Sequence, residues 1–285
     1  MAAEARYDDV ADFYADGWTD TIDDPASVRL LALLEPVAGR RVLEIACGHG
    51  RISRQLARRG AAVVGADISA PLVGKAVDAE RDAPLGIRYV VADVTRPGFL
   101  AAAVPAPAPG TPAPAAPATR ELGTPEPATT TPELGTPEPA APAAPEPNAF
   151  DAVVCSFGLS DIDDLDGAIA TAARALRPGG VFVCSILHPC FPGGRNVSGS
   201  WPGDARYHAE GWWRADGELS SLRRQVGANH RTLSTYLNAF RNHGLWLDEM
   251  AEPEPAQAWA ATRADAARFP VFLVLRCVKQ GPLGT

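Results

Sequence analysis

The stretch LEIACGHG at residues 43–50 combines an acidic residue, two glycines and an apolar run. A glycine-rich turn between a buried strand and a helix directs backbone N–H groups and the positive end of the helix toward a ligand. Glu44, Gly48 and Gly50 are therefore candidates for holding a nucleotide-like molecule. The dinucleotide fingerprint G-x-G-x-x-G fits only in part, because Ser53 stands where its third glycine would be. The phosphate-loop pattern does not fit, because no Gly-Lys-Ser/Thr follows.

Short apolar runs alternate along the chain with helical patterns, which predicts an α/β domain with a mainly parallel sheet. The predicted strands are residues 41–46, 62–66, 87–91, 150–156, 181–187, 245–250 and 271–278. The predicted helices between or before them are residues 25–34, 51–59, 70–80, 165–176 and 232–243. Glycines follow basic residues at Gly60 and Gly244, where such helices commonly stop.

Two acidic residues follow the second and third predicted strands. Asp67 lies seventeen residues after Gly50, in GADIS, and Asp93 lies in VVADV. The carboxyl ends of parallel strands meet at one edge of a sheet, where ligands of open α/β sheets bind. We therefore expect Asp67 near the glycine loop, where its carboxylate can accept hydrogen bonds from both hydroxyls of a ribose.

The stretch VLEIACGHG resembles the first motif of class I S-adenosylmethionine-dependent methyltransferases, acidic-x-Gly-x-Gly-x-Gly, with Ala46 in place of the first glycine. FDAVVCSFGLSDIDDL resembles the family's fourth strand and substrate loop, and ALRPGGVFV resembles its turn into the fifth strand. The sequence is similar to the type 11 small-molecule methyltransferase branch, which includes ubiquinone and menaquinone methyltransferases.

The resemblance implies a Rossmann-like fold with a seven-stranded, mostly parallel sheet, an antiparallel last strand and helices on both faces. It also implies S-adenosyl-L-methionine as cofactor, with Asp93 near the adenine amino group. The cofactor-binding residues that we predict are Glu44, Ala46, Gly48, Gly50, Asp67, Ile68, Asp93, Val94 and Cys155. The implied activity is methyl transfer to an oxygen, nitrogen or carbon atom of a small molecule. The alternatives are an NAD(P)-dependent oxidoreductase and a protein that binds S-adenosylmethionine without transferring methyl.

The acceptor side of the site is predicted from histidines and aromatic residues. His188 follows the fifth strand and His230 is placed at the start of a helix, so both are candidates for a general base or an orienting contact. Residues 1–24 are predicted to form an acidic helix or lid, in which Tyr7, Val10, Tyr14 and Trp18 share one face. Residues 188–228 are predicted to form an aromatic loop on the substrate side rather than another sheet layer. The substrate contacts predicted from these two segments are Tyr14, Trp18, Trp212 and Trp213.

Residues 105–147 differ in composition from the rest of the chain, with 14 prolines and 11 alanines in 43 positions. Such a segment offers little apolar surface to bury, so we expect a disordered insertion. Lengthening a connection of roughly six residues to nearly fifty costs only about 2 kcal/mol of closure entropy. Residues 1–285 are therefore predicted to be a single methyltransferase domain that carries this insertion.

Charge and cysteine content limit the class of partner. Of the net charge of −8, residues 1–24 carry −7 and residues 105–147 carry −4, which leaves +3 on the remainder. This distribution lacks the basic stripe of a nucleic-acid-binding protein. The five cysteines are scattered without metal-ligand spacing, so we expect reduced thiols and no metal. We expect a cytoplasmic enzyme with a small-molecule acceptor and no membrane or nucleic-acid partner; a homodimer is compatible with the sequence.

Overall fold

The fold is that of a computed structural model. It describes residues 5–96, 98–100, 149–192, 199–201, 205–215, 221–257, 261 and 269–281. The predicted insertion at residues 105–147 lies outside the described residues, as do parts of the predicted segments 1–24 and 188–228.

A seven-stranded sheet forms the centre of the described chain. Its strands are β1 Arg41–Ile45, β2 Ala62–Asp67, β3 Arg88–Val91, β4 Phe150–Ser156, β5 Leu176–Leu187, β8 Leu245–Ala251 and β9 Phe272–Lys279. Two further strands, β6 Gly211–Trp213 and β7 Ala228–His230, form a separate two-stranded sheet. The sheet order is β3-β2-β1-β4-β5-β9-β8, in which β1 to β5 are parallel and β9 is antiparallel to both of its neighbours. The predicted mostly parallel sheet with an antiparallel last strand is confirmed.

Helices cover both faces of the sheet. They are α1 Ala11–Asp16, α2 Pro25–Leu34, α3 Arg51–Arg58, α4 Ala70–Asp82, α5 Leu165–Ala175, α6 Ser221–Val226 and α7 Leu233–Asn242. Side chains alternate across β4, because successive residues of a strand point to opposite faces. Val153 belongs to the apolar cluster that includes residues of α5 and α7, whereas Val154 belongs to the cluster that includes residues of α2 and α3. In the part of the chain described here, no helix is long and apolar enough to cross a membrane.

Four of the helices begin at side-chain caps, whereas α1 and α3 have none. Asp24, Ser69, Asp164 and Thr232 each accept a hydrogen bond from the backbone three residues later, at the starts of α2, α4, α5 and α7. The first residue of α3 follows Gly50, which has a φ of 86° and makes no side-chain cap. The N-terminal N–H groups of α3 therefore have no side-chain cap at the glycine loop.

Three sequence predictions on the acceptor side need correction. The segment at 188–228 is not simply a loop, because β6 pairs with β7 in a separate two-stranded sheet. His230 ends β7 and does not begin a helix, since the cap of α7 is Thr232. The N-terminal aromatic residues do not share one continuous helix: Tyr7 precedes a short 3-10 helix at Asp8–Val10, and Trp18 follows α1.

Candidate functional site

A cleft of about 700 Å³ opens at the carboxyl ends of the parallel strands. The neighbours of β1 are β2, which continues the sheet in one direction, and β4, which continues it in the other. This reversal of strand order is the place where open α/β sheets bind ligands, because the loops on either side separate there. The volume lies within the roughly 300–1,000 Å³ of small-molecule sites.

The floor of the cleft is the glycine loop after β1. Ala46 adopts a φ of 53°, in the left-handed region that favours glycine, and both Ala46 and Gly48 line the cleft. At Gly50 a Cβ atom would lie 2.3 Å from the Tyr89 hydroxyl oxygen, so a side chain cannot be accommodated without movement. Gly48 thus presents a residue without a side chain to the cleft, whereas Gly50 packs against Tyr89 outside the cleft lining.

The methyl group of Ala46 fits because the facing residue has no side chain. A Cβ atom built on Gly158 would lie 2.4 Å from the Ala46 Cβ and 3.0 Å from the Cys155 Sγ. Gly158 also lines the cleft. Absence of a side chain at residue 158 thus leaves room for the extra methyl group at residue 46.

Asp67 connects the end of β2 to the glycine loop. Its Oδ2 accepts a hydrogen bond from the Gly48 backbone N–H at 2.8 Å, and its Oδ1 accepts one from the Ser69 N–H at 2.9 Å. Burial raises the pKa of the Asp67 carboxyl, and these backbone hydrogen bonds partly oppose that shift. A carboxylate has about four acceptor positions. Asp67 lines the cleft and therefore retains acceptor positions for further donors, such as ribose hydroxyls.

Asp93 occupies the corresponding position after β3. Its Oδ1 accepts hydrogen bonds from the Thr95 N–H at 2.9 Å and the Thr95 hydroxyl at 2.7 Å, and its Oδ2 accepts one from the Arg96 Nε at 3.1 Å. Ile68 and Val94, the residues that follow the two aspartates, also line the cleft. The structure thus brings the predicted residues Ala46, Gly48, Asp67, Ile68, Asp93 and Val94 to one surface.

Glu44, Gly50 and Cys155 are not among the residues that line the cleft. The Glu44 side chain is buried and accepts a hydrogen bond from the Ser53 hydroxyl in α3. Burial raises the pKa of Glu44 to about 8, although the hydrogen bonds from Ser53 favour the charged form. Glu44 therefore joins β1 to α3 from below the loop. Ser53, which occupies the third-glycine position of the dinucleotide fingerprint, is its partner.

The N-terminal segment supplies another wall of the cleft, through Arg6, Tyr7, Tyr14 and Trp18. Arg51 holds this segment: its guanidinium donates to the Thr19 and Thr21 carbonyl oxygens, both at 2.9 Å, and to Asp24 Oδ2 at 3.0 Å. The same guanidinium lies 4.7 Å from the centre of the Trp18 ring. The aromatic residues predicted from the N-terminus therefore reach the cleft although they do not form one helix.

The histidines and the tryptophans of β6 are not part of the described cleft lining. The His188 Nδ1 accepts from the Cys190 N–H at 3.0 Å, and its Nε2 lies 3.0 Å from Glu252. The His230 Nε2 lies 2.7 Å from the Tyr207 carbonyl oxygen. Trp212 stacks on Arg6 and Arg214, and the Trp213 indole donates to the Ser200 carbonyl oxygen at 2.9 Å. The rings of both histidines are thus engaged by protein groups outside the described cleft lining, and their contact with the substrate stays a prediction.

Residues that the sequence analysis did not single out form the remaining wall. Asp161, on the loop after β4, and Arg223, in α6, form an ion pair in the cleft. Asp161 lies in the stretch that resembles a substrate loop, but the neighbouring Asp163 and Asp164 have the same residue type and no pattern distinguishes among them. No sequence signal marked Arg223, because its role depends on how the segment around α6 folds back over the sheet.

Comparisons with known proteins are consistent with this geometry. A family model described as a methyltransferase domain matches residues 18–249. The crystal structure of an S-adenosylmethionine-dependent methyltransferase from Mesorhizobium loti is similar, with 26% identity, a TM-score of 0.58, and coverage of 88% of this chain and 96% of that chain.

Similarity to curated proteins is more local. The ubiquinone biosynthesis O-methyltransferase of Methylococcus capsulatus is 22% identical over 165 residues, which is 58% of this chain and 51% of that protein. The 23S rRNA (uracil(1939)-C(5))-methyltransferase of an Azoarcus species is 43% identical over 53 residues, 19% of this chain and 12% of that protein. The chain therefore spans about half or less of the length of these curated relatives.

Proposed function

The chain belongs to the methyltransferase-domain family, and from that premise we propose that it transfers a methyl group from S-adenosyl-L-methionine to an oxygen, nitrogen or carbon atom of a small molecule. The observation that carries the proposal is the cleft itself. One side presents the glycine loop with Asp67 and Asp93, and the other side presents apolar side chains with the Asp161–Arg223 ion pair. A single cleft thus has a polar side suited to the cofactor and a different side suited to an acceptor.

We propose that the cofactor is held mainly by the cleft-lining residues of the loop and strand ends. Asp67 has acceptor positions for the ribose hydroxyls, Asp93 lies where the adenine amino group is expected, and Gly48 offers a surface without a side chain. Glu44, Gly50 and Cys155 would then act on the cofactor through the loop and not by contact. S-adenosylmethionine, when bound, supplies an electrophilic methyl group on a sulfonium.

For methyl transfer the protein has chiefly to align the acceptor atom, the methyl carbon and the sulfur and to exclude water. Alignment of reacting groups can supply on the order of 7–11 kcal/mol of rate enhancement. Tyr7, Tyr14 and Trp18 border the cleft and the segment is fixed by Arg51, so we propose that the N-terminal segment helps to exclude water as a lid. Burial raises the pKa of Tyr14 above its usual value, so its phenol stays neutral.

We propose a small-molecule acceptor in preference to RNA. The described lining contains five aspartates and three arginines. An excess of acidic groups disfavours a polyanion at the site.

We also propose that the protein acts in the cytoplasm. The cysteines of the described chain are all free thiols, which fits a reducing compartment.

The proposal is tested by isothermal titration of the full chain with S-adenosylmethionine, S-adenosylhomocysteine and NADH. We expect both sulfur ligands to bind and NADH not to bind. Transfer of a labelled methyl group from the cofactor to metabolites in a cell extract then tests catalysis. Binding of NADH in place of the sulfur ligands would refute the proposal, and binding without transfer to any acceptor would favour a protein that uses the cofactor without methyl transfer.

A further inference from the structure

Asp161 is held inside the cleft by two donors from distant parts of the chain. Its Oδ2 accepts a hydrogen bond from the Tyr7 hydroxyl at 3.0 Å, and its Oδ1 accepts one from Arg223. The Arg223 Nη1 also donates to the Gly227 carbonyl oxygen at 2.9 Å. Burial and the nearby Asp161 charge raise the pKa of Tyr7, so Tyr7 is a donor to this carboxylate at neutral pH. The carboxylate therefore has a fixed orientation.

The loop that carries Asp161 is also fixed from behind. Arg231 donates to the carbonyl oxygens of Leu159, Ile162 and Asp163, at 2.9, 2.6 and 2.9 Å. The Asn229 N–H donates to the Ser160 carbonyl oxygen at 2.7 Å. Four hydrogen bonds, to the carbonyl oxygens on either side of Asp161, hold the loop against the segment at the end of β7, so Asp161 is presented by a rigid support.

The cleft that Asp161 lines also has an apolar part. The cleft lining includes Ile162, Leu187, Leu222, Val226, Val271 and Phe272. Tyr7 and Arg223 use one acceptor position on each Asp161 oxygen, which leaves about two of the four positions of a carboxylate. The side chain retains 21% of its exposure, and it lies in the cleft lining. A polar group that enters this apolar wall without a partner would lose its hydrogen bonds to water.

We propose that Asp161 anchors the methyl acceptor by accepting a hydrogen bond from a hydroxyl or amine group that the acceptor carries on an apolar body. This inference rests on the proposed function and specifies its substrate class. The positive charge of Arg223 balances the negative charge of Asp161. The anchor therefore does not require a cationic methyl acceptor and selects one with a neutral hydrogen-bond donor. A molecule with the same ring system whose hydroxyl is already methylated cannot donate, and it leaves the remaining acceptor positions of Asp161 without a partner.

The test uses the full chain loaded with S-adenosylhomocysteine and two probes, naphthalen-2-ol and 2-methoxynaphthalene. In the second probe a methyl group replaces the hydroxyl hydrogen of the first. We expect naphthalen-2-ol to bind about tenfold more tightly, as one hydrogen bond to a charged acceptor predicts. In the Asp161→Ala protein the ratio of the two dissociation constants should fall to about one. The dissociation constant of S-adenosylhomocysteine should change by less than about twofold, because Asp161 is assigned to the acceptor.

Three further variants keep the result interpretable. Asp161→Asn has nearly the same size and should lower the ratio several-fold if the alanine variant does not fold. Tyr7→Phe should retain the preference, whereas loss of the preference in Tyr7→Phe alone would assign the anchor to Tyr7. Asp166→Ala removes a carboxylate of the same region that pairs with His243 and does not line the cleft, and it should leave the ratio unchanged.

The outcomes separate the two proposals. Equal affinities for the two probes, no binding of either probe, or a preference that persists in Asp161→Ala would overturn the anchor. Failure of S-adenosylhomocysteine to bind the unmodified chain would instead overturn the proposed function.

Discussion

Introducing a methyl group at Gly158 should destabilise the protein, and removing the methyl group of Ala46 should relieve most of that effect. The new Cβ of Gly158→Ala would lie 2.4 Å from the Ala46 Cβ and 3.0 Å from the Cys155 Sγ. Overpacking of this kind costs about 1–3 kcal/mol. Since both contacts are shorter than normal, we expect the free energy of unfolding to fall by about 2 kcal/mol.

Ala46→Gly alone should change stability little. The left-handed backbone conformation at residue 46 destabilises the folded state by about 1 kcal/mol when the residue is alanine. Glycine avoids this strain, but it gives the unfolded chain more conformational freedom, which lowers stability by a similar amount. With Ala46→Gly in place, the 2.4 Å contact is gone and the contact with Cys155 at 3.0 Å remains. In the Ala46→Gly background we therefore expect Gly158→Ala to lower the free energy of unfolding by about 1 kcal/mol or less. Compared with about 2 kcal/mol in the unmodified protein, this corresponds to a coupling energy of at least about 1 kcal/mol between the two residues.

The assay is urea denaturation of the four proteins of the double-mutant cycle, with the dissociation constant of S-adenosylhomocysteine measured in parallel because both residues line the cleft. Gly74→Ala is the matched control, since its Cβ would have no atom within 4 Å. It should be neutral or stabilising and should not couple to Ala46→Gly. Additive effects of Gly158→Ala and Ala46→Gly, within about 0.5 kcal/mol, would refute the steric reasoning.

The remaining predictions concern charge and support at the site. The pKa of Glu44 is raised from 4.5 to about 8, so its proton stabilises the folded state below pH 4.5 and this contribution is lost as the pH rises to 8. Urea midpoints should therefore show the unmodified protein losing at least about 1 kcal/mol relative to Glu44→Gln between pH 5 and pH 8, and parallel pH profiles would contradict this. Asp67→Ala should weaken S-adenosylhomocysteine binding by about 10–100-fold, with Asp67→Asn intermediate, and an unchanged titration would reject the ribose assignment. Arg231→Met leaves three carbonyl oxygens without their donor, so the free energy of unfolding should fall by about 2–3 kcal/mol. Amide exchange should accelerate in residues 159–163, and unchanged exchange there would exclude the supporting role.

The cofactor side of the cleft could be predicted because its information is local in sequence. A strand, a glycine turn and a helix occupy consecutive residues at 41–58, and the acids that end the next two parallel strands must reach the same sheet edge. The placement of Asp67 and Asp93 in the cleft therefore follows from strand order. The orientation of Glu44 could not be predicted in this way. The alternation of side chains along a strand does not show whether the carboxylate faces the cleft or, as in this structure, Ser53 in α3.

The α/β class, the strands of the main sheet and the glycine loop could be predicted from the amino-acid sequence, because apolar periodicity and turn residues act over a few positions. Which side chains meet across the cleft depends instead on tertiary packing. Tyr7 and Asp161 are separated by 154 residues, and Asp161 and Arg223 by 62. Contacts at such distances depend on how separate segments pack on the sheet, and no local pattern encodes them. The contacts of His188 with Glu252 and of His230 with the Tyr207 carbonyl oxygen likewise depend on packing.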